Sequence, residues 1–166
     1  MRKELYKALC DRLSSLYVEE DGSYGVVSAG FGIPAGCERA VKHIDLWNHN
    51  VEFIEQEEGW ERPAVFVEFA GIDWRSFSTC GDYCTEGLLR LHVVTDWCGS
   101  VSEGSVLQDK GLELFDLLDA IHACLLGLEG RDFHSLDLVR SETNHNHEDI
   151  VESIEVYRYA GFKRIL

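Results

Sequence analysis

The residues best suited to chemistry stand together in TNHNHED, residues 143–149, where His145, His147, Glu148 and Asp149 supply imidazole and carboxylate. Both ligand types suit zinc and other divalent ions. In an extended segment His145 and His147, two residues apart, point the same way, but a closed site needs two more ligands, and His134 and His92 are unsupported candidates for them. A polar hairpin turn accounts for the cluster more simply, and no metal is expected. A second set is the pair Cys80 and Cys84 in TCGDYC, with Cys98 further along. The spacing is admissible for a zinc knuckle, yet no second pair follows at a structural-site distance, so idle thiols are the expectation. Carboxylates crowd at Glu55, Glu57 and Glu58 and recur at Asp116 and Asp119. General acid–base work needs an environment that drives the pKa values of a pair apart, and an exposed acidic run supplies none.

Phosphate chemistry is the remaining possibility. Gly30, Gly32 and Gly36 in GFGIPAG approach a dinucleotide-binding fingerprint, but no strand clearly precedes them, Pro34 interrupts them, and the Lys-Ser or Lys-Thr pair of a phosphate-binding loop is absent. No Gly-x-Ser-x-Gly elbow or His-Glu-x-x-His motif occurs either. The sequence therefore assigns no catalytic residue, no cofactor site and no metal site.

Any such residues depend on the elements that hold them. The 166 residues suit one domain, 1–166, large enough to bury a real core, and 45% hydrophobic content with two prolines is globular in character. A formal charge of -15 would repel a phosphate backbone, so no nucleic-acid binding is expected. No run of eighteen apolar residues exists, and charge is interleaved through MRKELYKALC, unlike a signal-peptide core, which points away from the membrane and toward the cytosol. Cys10, Cys37 and Cys124 are as scattered as the other three cysteines, and reduced thiols are expected throughout.

The dominant element is a helix from Asp109 to about Leu128. Leu114, Leu117, Leu118, Ile121, Cys124, Leu125 and Leu128 repeat at three and four residues, with Glu113, Asp116, Asp119 and His122 opposite. Gly127 and Gly130 supply stop signals. Residues 3–17 form a first helix on the stripe Leu5, Leu9, Leu13 and Leu16; residues 18–40, rich in glycine, read as a long loop with at most a short hairpin near Val26 and Val27. Strands follow at 43–54, bulged near Asn48 to Asn50, at 63–74, and at 88–97, where Leu89, Leu91 and Val93 face inward and Arg90 and His92 face water. Residues 75–87 and 98–108 read as connectors. Two more strands, 134–142 and about 149–162, end the chain, with Val151, Ser153, Glu155, Tyr157 and Tyr159 on one face of the last. The order predicts an α+β fold: a mostly antiparallel sheet of about five strands, one long helix packed on it and an N-terminal helix. Trp47, Trp60, Trp74 and Trp97 all lie in or beside the first three strands, and Trp60, in the acidic turn EEGWERP, is the one expected to face a partner.

The phrases IDLWN, PAVFVEF, LRLHVVTD, FDLLDAIHACLLGL and NHNHED, in that order over residues 41–160, resemble an uncharacterised prophage protein family of gut bacteria. The arrangement also resembles tail-terminator and tail-completion proteins of long-tailed phages. The resemblance implies a helix on an antiparallel sheet, protomers joined in a hexameric ring, and a ring that caps the tail tube so that head and tail can join. Residues 18–40 depart from it. The expectation is thus a non-enzymatic tail assembly protein whose partners are itself, the tail tube and head-completion proteins, found in the bacterial host's cytoplasm during assembly and in the virion tail. Strand edges and residues 55–62, 75–87 and 98–108 would supply its contacts. The alternatives are a metal-dependent hydrolase using His145, His147 and a carboxylate, and an acidic monomeric binding or inhibitor module that mimics nucleic acid.

Overall fold

The computed structural model describes residues 1–28, 30–52 and 59–165. Two long strands form its backbone: β7 (Asp82–Asp96) and β9 (Ile150–Arg164) pair antiparallel along their whole length, from Asp82 opposite Arg164 to Asp96 opposite Ile150. Around them the sheet runs β4 (His43–Leu46), β5 (Ala64–Phe69), β7, β9, β8 (Phe133–Asn144), with the short β6 (Arg75–Ser76) paired antiparallel to Tyr83 and Cys84 at the start of β7. Among the described strands only β4 and β5 pair in parallel. The fold is α+β.

Period-two alternation in β7 sends Leu89, Leu91 and Val93 to one face, where they meet Val65 and Val67 of β5 and Tyr157 and Tyr159 of β9. Helices α1 (Arg2–Ser14) and α2 (Gln108–Leu125) cover that face. Leu5, Leu9 and Leu13 of α1 and Leu117, Ile121, Cys124 and Leu125 of α2 are buried in the same cluster. Burying each such aliphatic side chain stabilises the fold by roughly 1.5–3 kcal/mol relative to exposure. The approach of connector 97–107 to α2 depends on Gly111, where a Cβ would fall 1.9 Å from Val101 Cγ1.

Several boundaries differ from the sequence reading. The main helix stops at Leu125, with Gly127 at φ 71° just beyond, although Leu128 still reaches the core. Residues 18–40 are not simply a loop: β1 (Leu16–Val18), β2 (Tyr24–Val26) and β3 (Glu38–Arg39) make a small sheet of order β2-β1-β3, and the β1–β2 hairpin turns through Gly22 at φ 85°. Strands of two and three residues are too short to show periodicity, and glycine masks them further. The first strand of the main sheet ends at Leu46, and His49 takes φ 56°, so the expected bulge is a departure from the sheet. Phe53, Ile54, Glu55, Glu57 and Glu58 lie outside the described residues. The connector at 75–87 is mostly strand, since β7 begins at Asp82, and β9 continues through Lys163 and Arg164. No helix among the described residues is long and apolar enough to cross a membrane.

Candidate functional site

Residues three apart on a strand face opposite ways, and β9 places one buried glutamate on each face of the sheet: Glu152, 1% exposed, and Glu155, 2% exposed. Each organises a polar cluster.

On the face away from the helices, His92 of β7 lies between two carboxylates. Its Nδ1 is 2.6 Å from Glu152 Oε1 and its Nε2 is 3.1 Å from Glu68 Oε2. A neutral imidazole has one N–H, so donation to both carboxylates requires the imidazolium. Arg90 donates from Nη1 to both oxygens of Glu68, at 3.2 and 3.1 Å. Asn144 of β8 donates to Glu152 Oε2 at 2.6 Å. Burial alone would raise the Glu152 carboxyl, but hydrogen bonds from His92 and Asn144 and the charges of His92 and His147 outweigh it, and the result lies below the ordinary glutamate range. Glu68 is lowered likewise: His92 and Arg90 overcome its desolvation. Trp47, in the coil after β4, lies flat on His92 at 3.8 Å between ring centroids and 3° between planes. Beside it Val51, Ala64, Phe66, Val94 and Ile150 form a second apolar cluster that Trp60 joins edge-on to Phe66. The surroundings of His92 are therefore covered, and the expectation that His92 faces water is overturned: it is 4% exposed because Trp47 folds back over it.

On the helix face, Glu155 Oε2 accepts from Ser141 Oγ at 2.5 Å and from His122 Nε2 at 3.2 Å. Serine, histidine and a carboxylate meet, but in an order that does not make a nucleophile. In a triad the histidine stands between hydroxyl and carboxylate, whereas here the carboxylate stands between the other two. The trio forms part of the wall of a cavity of about 850 Å³ between α2 and the β8–β9 edge of the sheet, within the size range of ligand and partner clefts. Its walls include Leu114, Phe115, Leu118, Leu138, Val151 and Trp97. Phe115 is 58% exposed and Trp97 48%.

The structure separates most residues singled out from the sequence. His145 lines the α2–β8 cavity, whereas His147 Nε2 lies 3.8 Å from Glu152 on the opposite face, because residues 145–149 leave the strand and lose its alternation. The pair that was expected to point one way does not converge, and His134 sits near Glu129 at 3.8 Å. Among the described residues, no group of three or more His, Cys, Asp and Glu is arranged to hold a metal ion. Cys84 and Cys98 flank opposite ends of β7, about 50 Å of extended chain, so Cys80, Cys84 and Cys98 form no cluster. All six cysteines are free, and burial raises the Cys124 thiol. Gly30 and Gly32 line a surface hollow against α1, and no helix begins near Gly36 to receive a phosphate. Asp116 and Asp119 are exposed, as expected, and Asp119 borders the cavity. Trp60 is half-buried under Arg62 and lines a surface hollow with His43 and Asp45, and Trp97 is the more exposed tryptophan of the two. Sequence reasoning missed Glu155, yet the signal existed: it falls in phase with inward-facing Tyr157 and Tyr159.

Compared with known protein families and with curated proteins, the chain shows no match.

Proposed function

We propose that this chain is a non-enzymatic, ring-forming phage or prophage tail assembly protein of the tail-terminator or tail-completion type, acting where the tail tube joins the head. Its partners are further copies of itself, in a hexamer, together with tail-tube and head-completion proteins. It works in the host cytoplasm during assembly and in the virion tail thereafter. The observation that carries the reading is the outermost strand β8: twelve residues long, paired on one side only among the described strands, and exposed along most of its length, Leu138 and Val139 included. A strand edge left unpaired can accept another chain, and here Leu138 and Val139 add exposed apolar surface to an otherwise polar edge. Beside it the open cavity has exposed apolar walls, and the polar side chains of both clusters are engaged with one another.

Sedimentation velocity and light scattering of the purified protein, with electron micrographs of it mixed with tail tubes, test the proposal. Rings in solution or on tube ends are expected. A strictly monomeric species at high concentration that leaves tube ends bare contradicts it, and a salt-sensitive one-to-one complex with a basic protein would favour the acidic binding module instead.

A further inference from the structure

The cavity between α2 and the β8–β9 edge has two unlike sides. Its floor is sheet, where the register sets Ser141 of β8 opposite Glu155 of β9 and Thr143 opposite Ser153, so polar side chains form one patch. Its wall is helix. Phe115, Leu118, Asp119 and His122 follow one another at three and four residues, and with Leu114 they give α2 a mostly apolar side toward the cavity. A ligand filling this space meets oxygen acceptors on one side and hydrocarbon on the other.

The acceptors are in excess of donors. Glu152, on the other face of the sheet, has a donor on each oxygen, His92 on Oε1 and Asn144 on Oε2. Glu155 takes both of its bonds, from Ser141 and His122, on Oε2, and its Oε1 accepts none among the described residues. Nor is Oε1 sealed away: among the described residues, the buried side-chain atoms left without a partner are His147 Nε2 and the hydroxyls of Tyr157 and Tyr159. A residue only 2% exposed thus keeps one unpaired carboxylate oxygen toward the cavity that it lines. Leaving a charged acceptor in that state costs free energy that a donor would recover.

The surrounding charge has the same sign. Asp96 is paired with Arg62 and Glu142 with Arg140, which leaves Glu113 and Asp119, both exposed and in no ion pair among the described residues. Tyr24, also in the lining, registers that field: burial first, then the charges of Asp116 and Glu113, push its phenol up. Lys110 is the one lysine or arginine in the lining, and it precedes His122 by about 18 Å of helix rise.

From these observations we infer that the cavity binds a small organic cation, whose ammonium or guanidinium head donates to Glu155 Oε1 and whose aliphatic or aromatic body lies along Leu114, Phe115 and Leu118. An anion is opposed by Glu113, Asp119 and Glu155, and a neutral apolar molecule leaves Oε1 without a donor. The volume of about 850 Å³ falls within the range of small-molecule sites. Every lining residue belongs to one chain, so the site stands whether or not a ring forms.

Nuclear magnetic resonance titration of the isotope-labelled chain with phenethylamine, set against phenethyl alcohol, tests the site. The amine should move amide signals around His122, Ser141, Ser153 and Glu155. It should reach half-saturation at a concentration at least about tenfold below that of the alcohol, the least that one hydrogen bond to a charged group is worth. Glu155→Gln keeps the shape and should erase that preference, whereas Phe115→Ala, at an exposed position, should weaken amine and alcohol alike. Glu129→Gln removes the same charge from an exposed position outside the cavity lining and should change neither. Equal half-saturation by amine and alcohol in the wild-type chain, shifts scattered over the acidic surface, or a preference that survives Glu155→Gln overturns the inference. Should circular dichroism show Glu155→Gln unfolded, Phe115→Ala carries the mutational arm, and undiminished binding there overturns the site. A capped Leu-Arg-Leu peptide that binds at these residues where phenethylamine does not overturns the small ligand in favour of a partner chain's side chain.

Discussion

The two faces of the sheet treat a buried glutamate differently. Glu152 is gripped by His92 and Asn144 under a tryptophan that lies flat on the imidazole, and its surroundings are filled by Phe66, Val94 and Ile150. Glu155 has Ser141 and His122 but lies in the wall of a cavity of about 850 Å³ whose apolar walls reach the surface. The lesson is that a buried charge can serve as mortar when every neighbour is supplied by the same chain, and can mark a seat for another molecule when one side is left open. The first arrangement costs heavily to disturb; the second should be forgiving in the isolated chain.

That difference can be broken most directly by removing each carboxylate. Glu152→Leu strands His92 and Asn144 in a dry site and should lower unfolding stability by about 3–5 kcal/mol. Glu155→Leu should cost about 1–2 kcal/mol, because water in the cavity can reach Ser141 and His122. Urea denaturation measures both, and equal losses would erase the distinction. Next in size, Trp47→Ala uncovers His92 and part of the second apolar cluster, with an expected loss of about 2–3 kcal/mol, below that of a fully buried tryptophan.

The cluster around His92 also sets an acid limit. Glu152 and Glu68 have folded-state pKa values lowered from the ordinary glutamate range. Their contribution to stability is therefore complete above the unfolded value of about 4.3 and is lost as pH falls below it through the folded values. Thermal unfolding from pH 6 downward should show stability falling below about pH 4.3, and Glu152→Gln should make that fall shallower. An unchanged slope would detach the cluster from acid stability. The smallest effect sharpens the open side: Leu138→Ala on the β8 edge should change the chain's own stability by no more than about 0.5 kcal/mol while weakening self-association.

Much of the fold was legible because its periods are long. The stripe through Leu117, Ile121 and Leu125 repeats over eighteen residues of helix, and Leu89, Leu91 and Val93 alternate cleanly in a fifteen-residue strand. The small sheet of Leu16–Val18, Tyr24–Val26 and Glu38–Arg39 was not, since two or three residues carry no period. The parallel β4–β5 pair also escaped, because alternation reveals which face a residue takes but not which way its strand runs. At the sites, alternation correctly grouped Glu155 with Tyr157 and Tyr159, and that carboxylate in an aromatic row was a readable sign of a buried charge. His92 was misread for a long-range reason: the residue that buries it, Trp47, arrives from a coil forty-five positions earlier. His145 and His147 were expected together because strand spacing was extended into a turn that does not keep it.

Hydrogen exchange on the wild-type chain over a range of concentrations tests the central claim most directly, since it reads each region separately. Raising the concentration should add amide protection along Phe133–Asn144 and in the first half of Gln108–Leu125, while the strand segments around His92 and Glu152 stay as they are. Protection that does not change anywhere, or that grows on the Trp47 face instead, would contradict the account.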